Sequence, residues 1–178
     1  MKKYIGIAVL STFIACKSPV KKETAVTDST TATDQAAEVN DVKLADPKTE
    51  SIYKSYISLK NSLVAGNAAA AHQTALDLAA SLKAFEGCEN TALIAEKIAG
   101  TEDIKVQRKE FTALSSDVIA LFKHADVKQG TIYVQHCPMA NNGDGGDWLS
   151  SEKKISNPYY GKEMLTCGAV LEVIKAKK

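Results

Sequence analysis

The sequence has few of the features that mark a nucleic-acid-binding protein or an integral membrane protein. Its 22 basic residues are balanced by 21 acidic ones, and no run of Lys or Arg is longer than two residues, as at Lys2-Lys3 and Lys21-Lys22. Nucleic-acid-binding domains carry a clustered basic face, so no nucleic-acid partner is expected. The apolar run at residues 4–14 is shorter than the roughly 20 residues that a membrane-spanning helix needs.

The sequence also lacks the residue patterns that support catalysis. It contains no phosphate-binding loop, no carboxylate pair and no Ser/His/Asp pattern. His136 and Cys137 are neighbours, but on a strand successive side chains point to opposite faces. They are therefore badly placed to act as base and nucleophile, and we expect a protein that is not an enzyme.

The N-terminus has the pattern of an export signal. Lys2 and Lys3 precede a short apolar run that ends in Phe13-Ile14-Ala15-Cys16, which resembles the bacterial lipobox. Residues 1–15 are therefore predicted to be a lipoprotein signal peptide, and Cys16 the cysteine that carries the lipid. A signal-anchor helix and an ordinary cleaved signal are the alternatives. The prediction implies a membrane-anchored lipoprotein of the cell envelope, expected on the periplasmic or surface side of the outer membrane.

The residues after Cys16 are predicted to form a flexible tether, residues 16–45. Residues 21–40 contain Thr, Ser, Ala, Asp, Glu and Lys but no aromatic residue, so they cannot bury enough apolar surface to offset chain entropy. The domain is predicted to cover residues 46–178. It begins at Asp46-Pro47, because Asp is a good helix N-cap and Pro suits the first helical turn.

The first part of the domain has helical periodicity. Four successive segments carry apolar residues at helical spacing, and glycines at positions 66, 87 and 100 separate them. Short connections favour antiparallel neighbours. We therefore expect a mainly α fold, an antiparallel helical bundle of about four helices.

The pattern changes after Gly130. Residues 131–136 and 169–174 are rich in β-branched residues, which predicts two strands, paired antiparallel. Between them lie about 30 residues rich in Gly, Asn, Asp and Pro, a length that is unusual for a loop without a function. Its aromatic residues Trp148, Tyr159 and Tyr160 favour a long ordered loop beside a small two-stranded β element.

This C-terminal part also holds the candidate site. Cys137 ends one predicted strand and Cys167 precedes the other, so antiparallel pairing would bring the two sulfurs together. Met139 and Met164 flank them, and His136 adjoins Cys137. Thiolate, thioether and imidazole groups suit Cu(I), with zinc second. A disulfide, with both methionines as ordinary core residues, and free thiols are the alternatives.

The remaining cysteine, Cys88, lies in a predicted turn. The chain has four cysteines, and Cys16 is assigned to the lipid. An odd number therefore remains for an oxidising compartment, so at least one is free, pairs with another chain or binds a ligand.

Several short motifs of this region resemble a known family. The pieces Cys-Pro-Met-Ala, Trp-Leu-Ser, Ile-x-Asn-Pro-Tyr-Tyr-Gly and Met-Leu-x-Cys-Gly are similar to domain-of-unknown-function family 3347, with a resemblance that extends over residues 51–175. Members are envelope proteins of Gram-negative bacteria, and some are fused to, or encoded near, periplasmic adaptors of heavy-metal efflux pumps. The resemblance implies a role in metal handling, with Cu(I) as the leading metal and an efflux adaptor as a partner.

Together these observations give two expectations for function. The first is a lipid-anchored envelope protein that binds a soft metal ion, Cu(I), as an accessory to metal efflux or homeostasis. The second is a non-catalytic interaction domain whose loop is held by a Cys137–Cys167 disulfide.

Overall fold

The computed structural model describes residues 41–176. The predicted signal peptide, the predicted lipidation site Cys16 and the predicted tether up to residue 40 lie outside these residues. The helices are α1 Pro47–Ala65, α2 Ala68–Lys83, α3 Glu89–Ala99 and α4 Ile104–Phe122. The strands are β1 Lys43–Leu44, β2 Val127–Gln129, β3 Thr131–Cys137, β4 Gly146–Ser150 and β5 Ala169–Lys175. The prediction of a mainly helical protein with some strands is confirmed.

The first helix begins and ends where its local sequence indicates. The Asp46 carboxylate accepts the backbone N–H groups of Lys48 and Thr49, each at 3.2 Å, so it pairs donors that the first turn leaves unsatisfied. Gly66 ends α1 in the left-handed conformation, at φ 69°, which glycine adopts without steric cost. Over residues 41–176, no helix is long and apolar enough to cross a membrane.

The helices pack mainly against their neighbours in sequence, α1 on α2, α2 on α3 and α3 on α4, and α4 also packs against β4. Tyr56 of α1 stacks on Phe111 of α4, with ring centroids 5.5 Å apart. The largest fully buried side chains of the helices are Tyr56, Phe111, Phe122, Ile52, Leu59, Leu63, Leu78, Leu82, Ile98 and Leu114. This core carries the C-terminal sheet on one side.

The C-terminal sheet has three antiparallel strands in the order β4-β3-β5. Strands β3 and β5 pair as predicted, with Ile132 opposite Ile174 and His136 opposite Ala169. Strand β4 lies inside the segment predicted to be a loop. Its sequence has no β-branched residue, but Trp148 and Leu149 are both fully buried and its backbone pairs with β3. Burial of both faces therefore stabilises β4 as a strand, although the strand propensity of its residues does not predict one.

A second, smaller sheet extends the folded part toward the N-terminus. Strand β1 pairs with β2, with Leu44 opposite Val127. Val42 and Leu44 are buried, with 4 % and 7 % of their surface exposed. The sequence analysis places these residues in the tether, which ends at residue 45. The core therefore begins before Asp46, because a two-residue strand has too short a pattern to be recognised without its partner.

Candidate functional site

The candidate site is the pair formed by Cys137 and Cys167, whose sulfur atoms lie 2.9 Å apart. Cys137 is the last residue of β3, and Cys167 lies two residues before β5. Antiparallel pairing of the two strands brings these ends together, as their positions in the sequence predict. Both cysteines are free.

The separation of the two sulfurs falls between two bonding situations. A disulfide bond is about 2.05 Å long. Two thiolates on one tetrahedral metal ion, with metal–sulfur bonds of about 2.3 Å, lie roughly 3.8 Å apart. Two-electron oxidation of the two thiols, with a shortening of the distance by about 0.9 Å, would form a disulfide, and an opening by about 0.9 Å would admit a metal.

The two thiols differ in their surroundings. Cys137 is fully buried, whereas Cys167 is only half-buried. The backbone N–H of Met139 donates to the Cys167 sulfur. The hydrogen bond with Cys137 raises the pKa of the Cys167 thiol, and burial adds to this effect. A raised pKa favours the protonated thiol, so a metal or a deprotonating partner must offset this preference before the thiolate forms.

Both methionines adjoin Cys167 through the main chain. Met139 supplies the N–H to the Cys167 sulfur, and the Met164 carbonyl accepts the Cys167 N–H at 3.0 Å. The Met139 side chain is 53 % exposed, and that of Met164 is partly exposed. The structure therefore brings the main chain of both methionines into contact with Cys167.

His136 takes no part in this grouping. Its Nδ1 lies 2.7 Å from the Asp147 carboxylate, and Asp147 is its register partner on β4. Neighbouring residues of a strand face opposite sides, so His136 and Cys137 diverge. Within residues 41–176, no group of three or more His, Cys, Asp and Glu side chains could hold a metal ion. The structure thus does not bring the predicted ligand His136 to the cysteine pair.

The remaining cysteine, Cys88, lies on a different element from the pair. Cys88 is half-buried and directly precedes α3. Burial raises the pKa of its thiol, and the nearby Glu89 and Asp117 carboxylates add to the effect. Its environment is that of a structural cysteine, since reactive thiols lie in electropositive surroundings.

Asn157 holds the segment that carries Cys167, and the sequence analysis did not single it out. Its side chain is fully buried. Its Nδ2 donates to the Cys167 carbonyl at 3.0 Å, and its Oδ1 accepts the N–H groups of Tyr159 and Tyr160 at 2.8 and 3.2 Å. The sequence Asn157-Pro158-Tyr159 could have indicated this role, because an asparagine side chain often accepts a hydrogen bond from the backbone two residues later and so forms an Asx turn.

Gly168 allows the segment after Cys167 to approach β3 closely. A Cβ atom at this position would lie 2.5 Å from the His136 carbonyl oxygen and 3.0 Å from the Trp148 ring. Its φ of 143° also lies in a region that favours glycine. Trp148 in turn packs edge-on against Tyr159, at a centroid distance of 6.1 Å. The backbone beside the cysteine pair is therefore closely packed.

Comparison with known proteins bears on the helical part of the chain. Residues 52–130 match the family model described as a protein of unknown function, DUF3347. The match begins within α1, covers α2 to α4 and ends before β3, whereas the motifs that suggested the family lie mainly in the C-terminal part. No curated protein and no solved structure matches the chain. The resemblance to DUF3347 is therefore confirmed, and it rests on residues 52–130.

Proposed function

We propose that this protein is a lipid-anchored, non-enzymatic envelope protein that binds a soft metal ion, Cu(I), as an accessory to metal efflux or homeostasis. One observation carries the proposal. Two free thiols, Cys137 and Cys167, adjoin each other at the end of two paired strands, and the main chain of both Met139 and Met164 contacts Cys167.

The donor set fits Cu(I) better than the other common metals. Thiolates and thioethers are soft ligands, which favour Cu(I). Structural zinc takes four ligands from Cys and His, and within the described part of the chain no such cluster of His, Cys, Asp and Glu occurs. Cu(I) binding requires the sulfurs to separate from 2.9 Å. The partly exposed Cys167 is the sulfur that would move, while the buried Cys137 would stay in place.

The proposed cellular setting comes from the N-terminal motif and from the family. Lipid on Cys16 would hold the domain at the membrane, on the periplasmic or surface side of the outer membrane. The resemblance to DUF3347 suggests a metal efflux adaptor as partner. A module tethered beside such an adaptor could hold Cu(I) in the envelope and pass it to the pump.

A second candidate is an interaction domain whose C-terminal segment is held by a Cys137–Cys167 disulfide. The observation in its favour is the 2.9 Å separation, which is shorter than the spacing of two thiolates on one metal. Disulfides are also common in oxidising compartments. In this form the protein would present its surface to a partner and bind no metal.

For the fold itself we propose an antiparallel four-helix bundle as the arrangement of α1 to α4. Contacts between consecutive helices and the short connections at Gly66 and Gly100 support it, since short loops join antiparallel neighbours.

The metal proposal is tested by competition with a Cu(I) chelator. Reduced full-length protein is expected to compete for Cu(I), and oxidised protein is expected not to, because a metal-bound thiolate and a disulfide exclude each other. Met139→Leu and Met164→Leu preserve volume and apolarity but remove the thioether. Each is expected to weaken Cu(I) binding by roughly tenfold or more, at least the cost of losing an outer-shell partner.

Two variants serve as controls for this experiment. Cys88→Ser removes a thiol outside the site, and His136→Gln removes an imidazole that faces Asp147. Neither is expected to change Cu(I) affinity. If reduced parent protein fails to compete, or if both leucine variants bind as well as the parent, the metal proposal is wrong and the disulfide-held domain becomes the better account.

A further inference from the structure

The cysteine pair has one accessible and one inaccessible sulfur. Cys137 has no exposed surface. Its register partner on β4 is Gly146. The Tyr159 ring packs closely against Gly146, since a Cβ atom at that position would lie 2.6 Å from the ring. Cys167 is half-buried, and Met139, whose N–H it accepts, has a side chain 53 % exposed. A reagent from solvent therefore meets Cys167 before it meets Cys137.

The position of Cys167 is also held from three sides. Its N–H donates to the Met164 carbonyl at 3.0 Å, its carbonyl accepts the Asn157 side chain at 3.0 Å, and its sulfur accepts the Met139 N–H. These contacts keep its sulfur 2.9 Å from that of Cys137. After a reaction at Cys167, the second thiol is thus already within reach, and no rearrangement of the backbone is needed.

We propose that Cys167 is the sulfur at which the pair exchanges with soft electrophiles from solvent, a small disulfide or thiolate-bound Cu(I), and that Cys137 is the internal thiol that completes each exchange. The inference deepens the proposed function, because it concerns the same two cysteines. It makes the pair a redox-dependent gate, in which oxidation through Cys167 closes the site to metal and reduction through Cys167 reopens it.

The redox step balances with glutathione disulfide as oxidant. The Cys167 thiol loses its proton to solvent, its sulfur attacks one sulfur of glutathione disulfide, and one glutathione thiolate leaves. The Cys137 sulfur, after losing its proton, then attacks the Cys167 sulfur and expels the second glutathione thiolate. One dithiol and one glutathione disulfide thus give one protein disulfide and two glutathione thiols, the two released protons being taken up by the leaving thiolates. Reduced glutathione reverses the sequence and also enters at Cys167.

The test measures which cysteine reacts first. Reduced full-length protein is treated with limiting iodoacetamide, so that most molecules react once, and the label is mapped by peptide mass spectrometry. Mapping separates Cys137 and Cys167 from Cys16 and Cys88. We expect at least roughly tenfold more label on Cys167 than on Cys137, because thiol reactivity follows exposure. Equal labelling, or more label on Cys137, would overturn the proposal.

A second measurement traps the intermediate. In Cys137→Ala, Cys167 has no internal partner, so glutathione disulfide is expected to leave a stable mixed disulfide on Cys167. In the parent protein the same treatment is expected to give the internal disulfide, with no mixed disulfide on Cys137 at any time. A mixed disulfide that accumulates on Cys137 of the parent would contradict the order proposed. Both readouts use thiol chemistry alone, so they can succeed where Cu(I) competition fails, and the two proposals fail separately.

Discussion

Asn157 illustrates how one buried amide can position a reactive segment. Its side chain makes three hydrogen bonds to the backbone of residues 159, 160 and 167. Asn157→Ala would leave these buried groups without partners, and each such group costs roughly 1–3 kcal/mol. We expect the free energy of unfolding to fall by at least that range in urea denaturation. Asn61→Ala, on the exposed face of α1, is the control and should have little effect; an equal loss in both variants would contradict the role of Asn157.

Lys60 is a second residue whose role depends on its surroundings. In the sequence it is a polar break in the apolar stripe of α1, and in the structure only 4 % of its surface is exposed. Burial lowers the pKa of its ammonium group, and the Glu152 carboxylate offsets this only in part. The charged form is therefore disfavoured in the folded protein, and charging it lowers stability at neutral pH.

Replacing Lys60 should consequently stabilise the protein in a pH-dependent way. Lys60→Met keeps the length and removes the charge, and we expect a gain of about 1 kcal/mol at pH 7. Between the lowered folded pKa and the unfolded value near 10.4, the unfolded state binds more protons, so stability of the parent rises with pH. The difference in the free energy of unfolding between the parent and Lys60→Met, measured by urea unfolding, should become smaller as pH approaches 10. Lys109→Met, at an exposed site of α4, should show neither the gain in stability nor its pH dependence. A difference between the parent and Lys60→Met that stays the same at all pH values would refute this account.

At the scale of elements, β1 is the part of the fold that most needs a distant partner. Deleting residues 17–40 is expected to leave thermal unfolding unchanged, since their composition offers little to pack. Deleting residues 17–45 also removes Val42 and Leu44, which are buried, and each buried aliphatic side chain contributes roughly 1.5–3 kcal/mol. We expect a clearly lower melting temperature for the longer deletion. Two deletions with the same melting temperature would show that β1 adds nothing to stability.

Strand β4 shows a related effect of context. Gly146-Asp147-Trp148-Leu149-Ser150 has weak strand propensity, and yet it pairs with β3 along its length. Trp148 lies on the face covered by Tyr159, and the backbone N–H of Leu149 donates to the Tyr56 hydroxyl of α1 at 3.1 Å. The strand is therefore specified by contacts with other elements rather than by its own residues.

At the scale of the whole molecule, the proposed lipid anchor would decide where the domain works. The motif Phe13-Ile14-Ala15-Cys16 predicts lipidation at Cys16. Cys16→Ser is expected to release the domain from membranes or to leave the signal peptide uncleaved. Fractionation and gel mobility measure both results, and Cys88→Ser is the matched control. A Cys16→Ser variant that fractionates and migrates like the parent would show that the anchor was assigned wrongly.

The parts of the fold that the sequence alone determined are those with local signals. Asp46-Pro47 marks the start of α1, and Gly66 marks its end, because a cap and a left-handed glycine act within one helical turn. The meeting of Cys137 and Cys167 was also predictable, since it follows from antiparallel pairing of the two most β-prone segments. These predictions needed no knowledge of the tertiary contacts that each segment makes.

The tertiary structure decided the rest. It made residues 146–150 a strand, drew Val42 and Leu44 into the core, buried Lys60, turned His136 toward Asp147 and left Cys167 more accessible than Cys137. Each of these outcomes depends on residues distant in sequence, whose packing energy exceeds the propensity differences of at most about 1 kcal/mol that a local pattern carries. The residue types in the sequence therefore determine the chemistry of the candidate site, while only the packed fold determines how solvent reaches its cysteines.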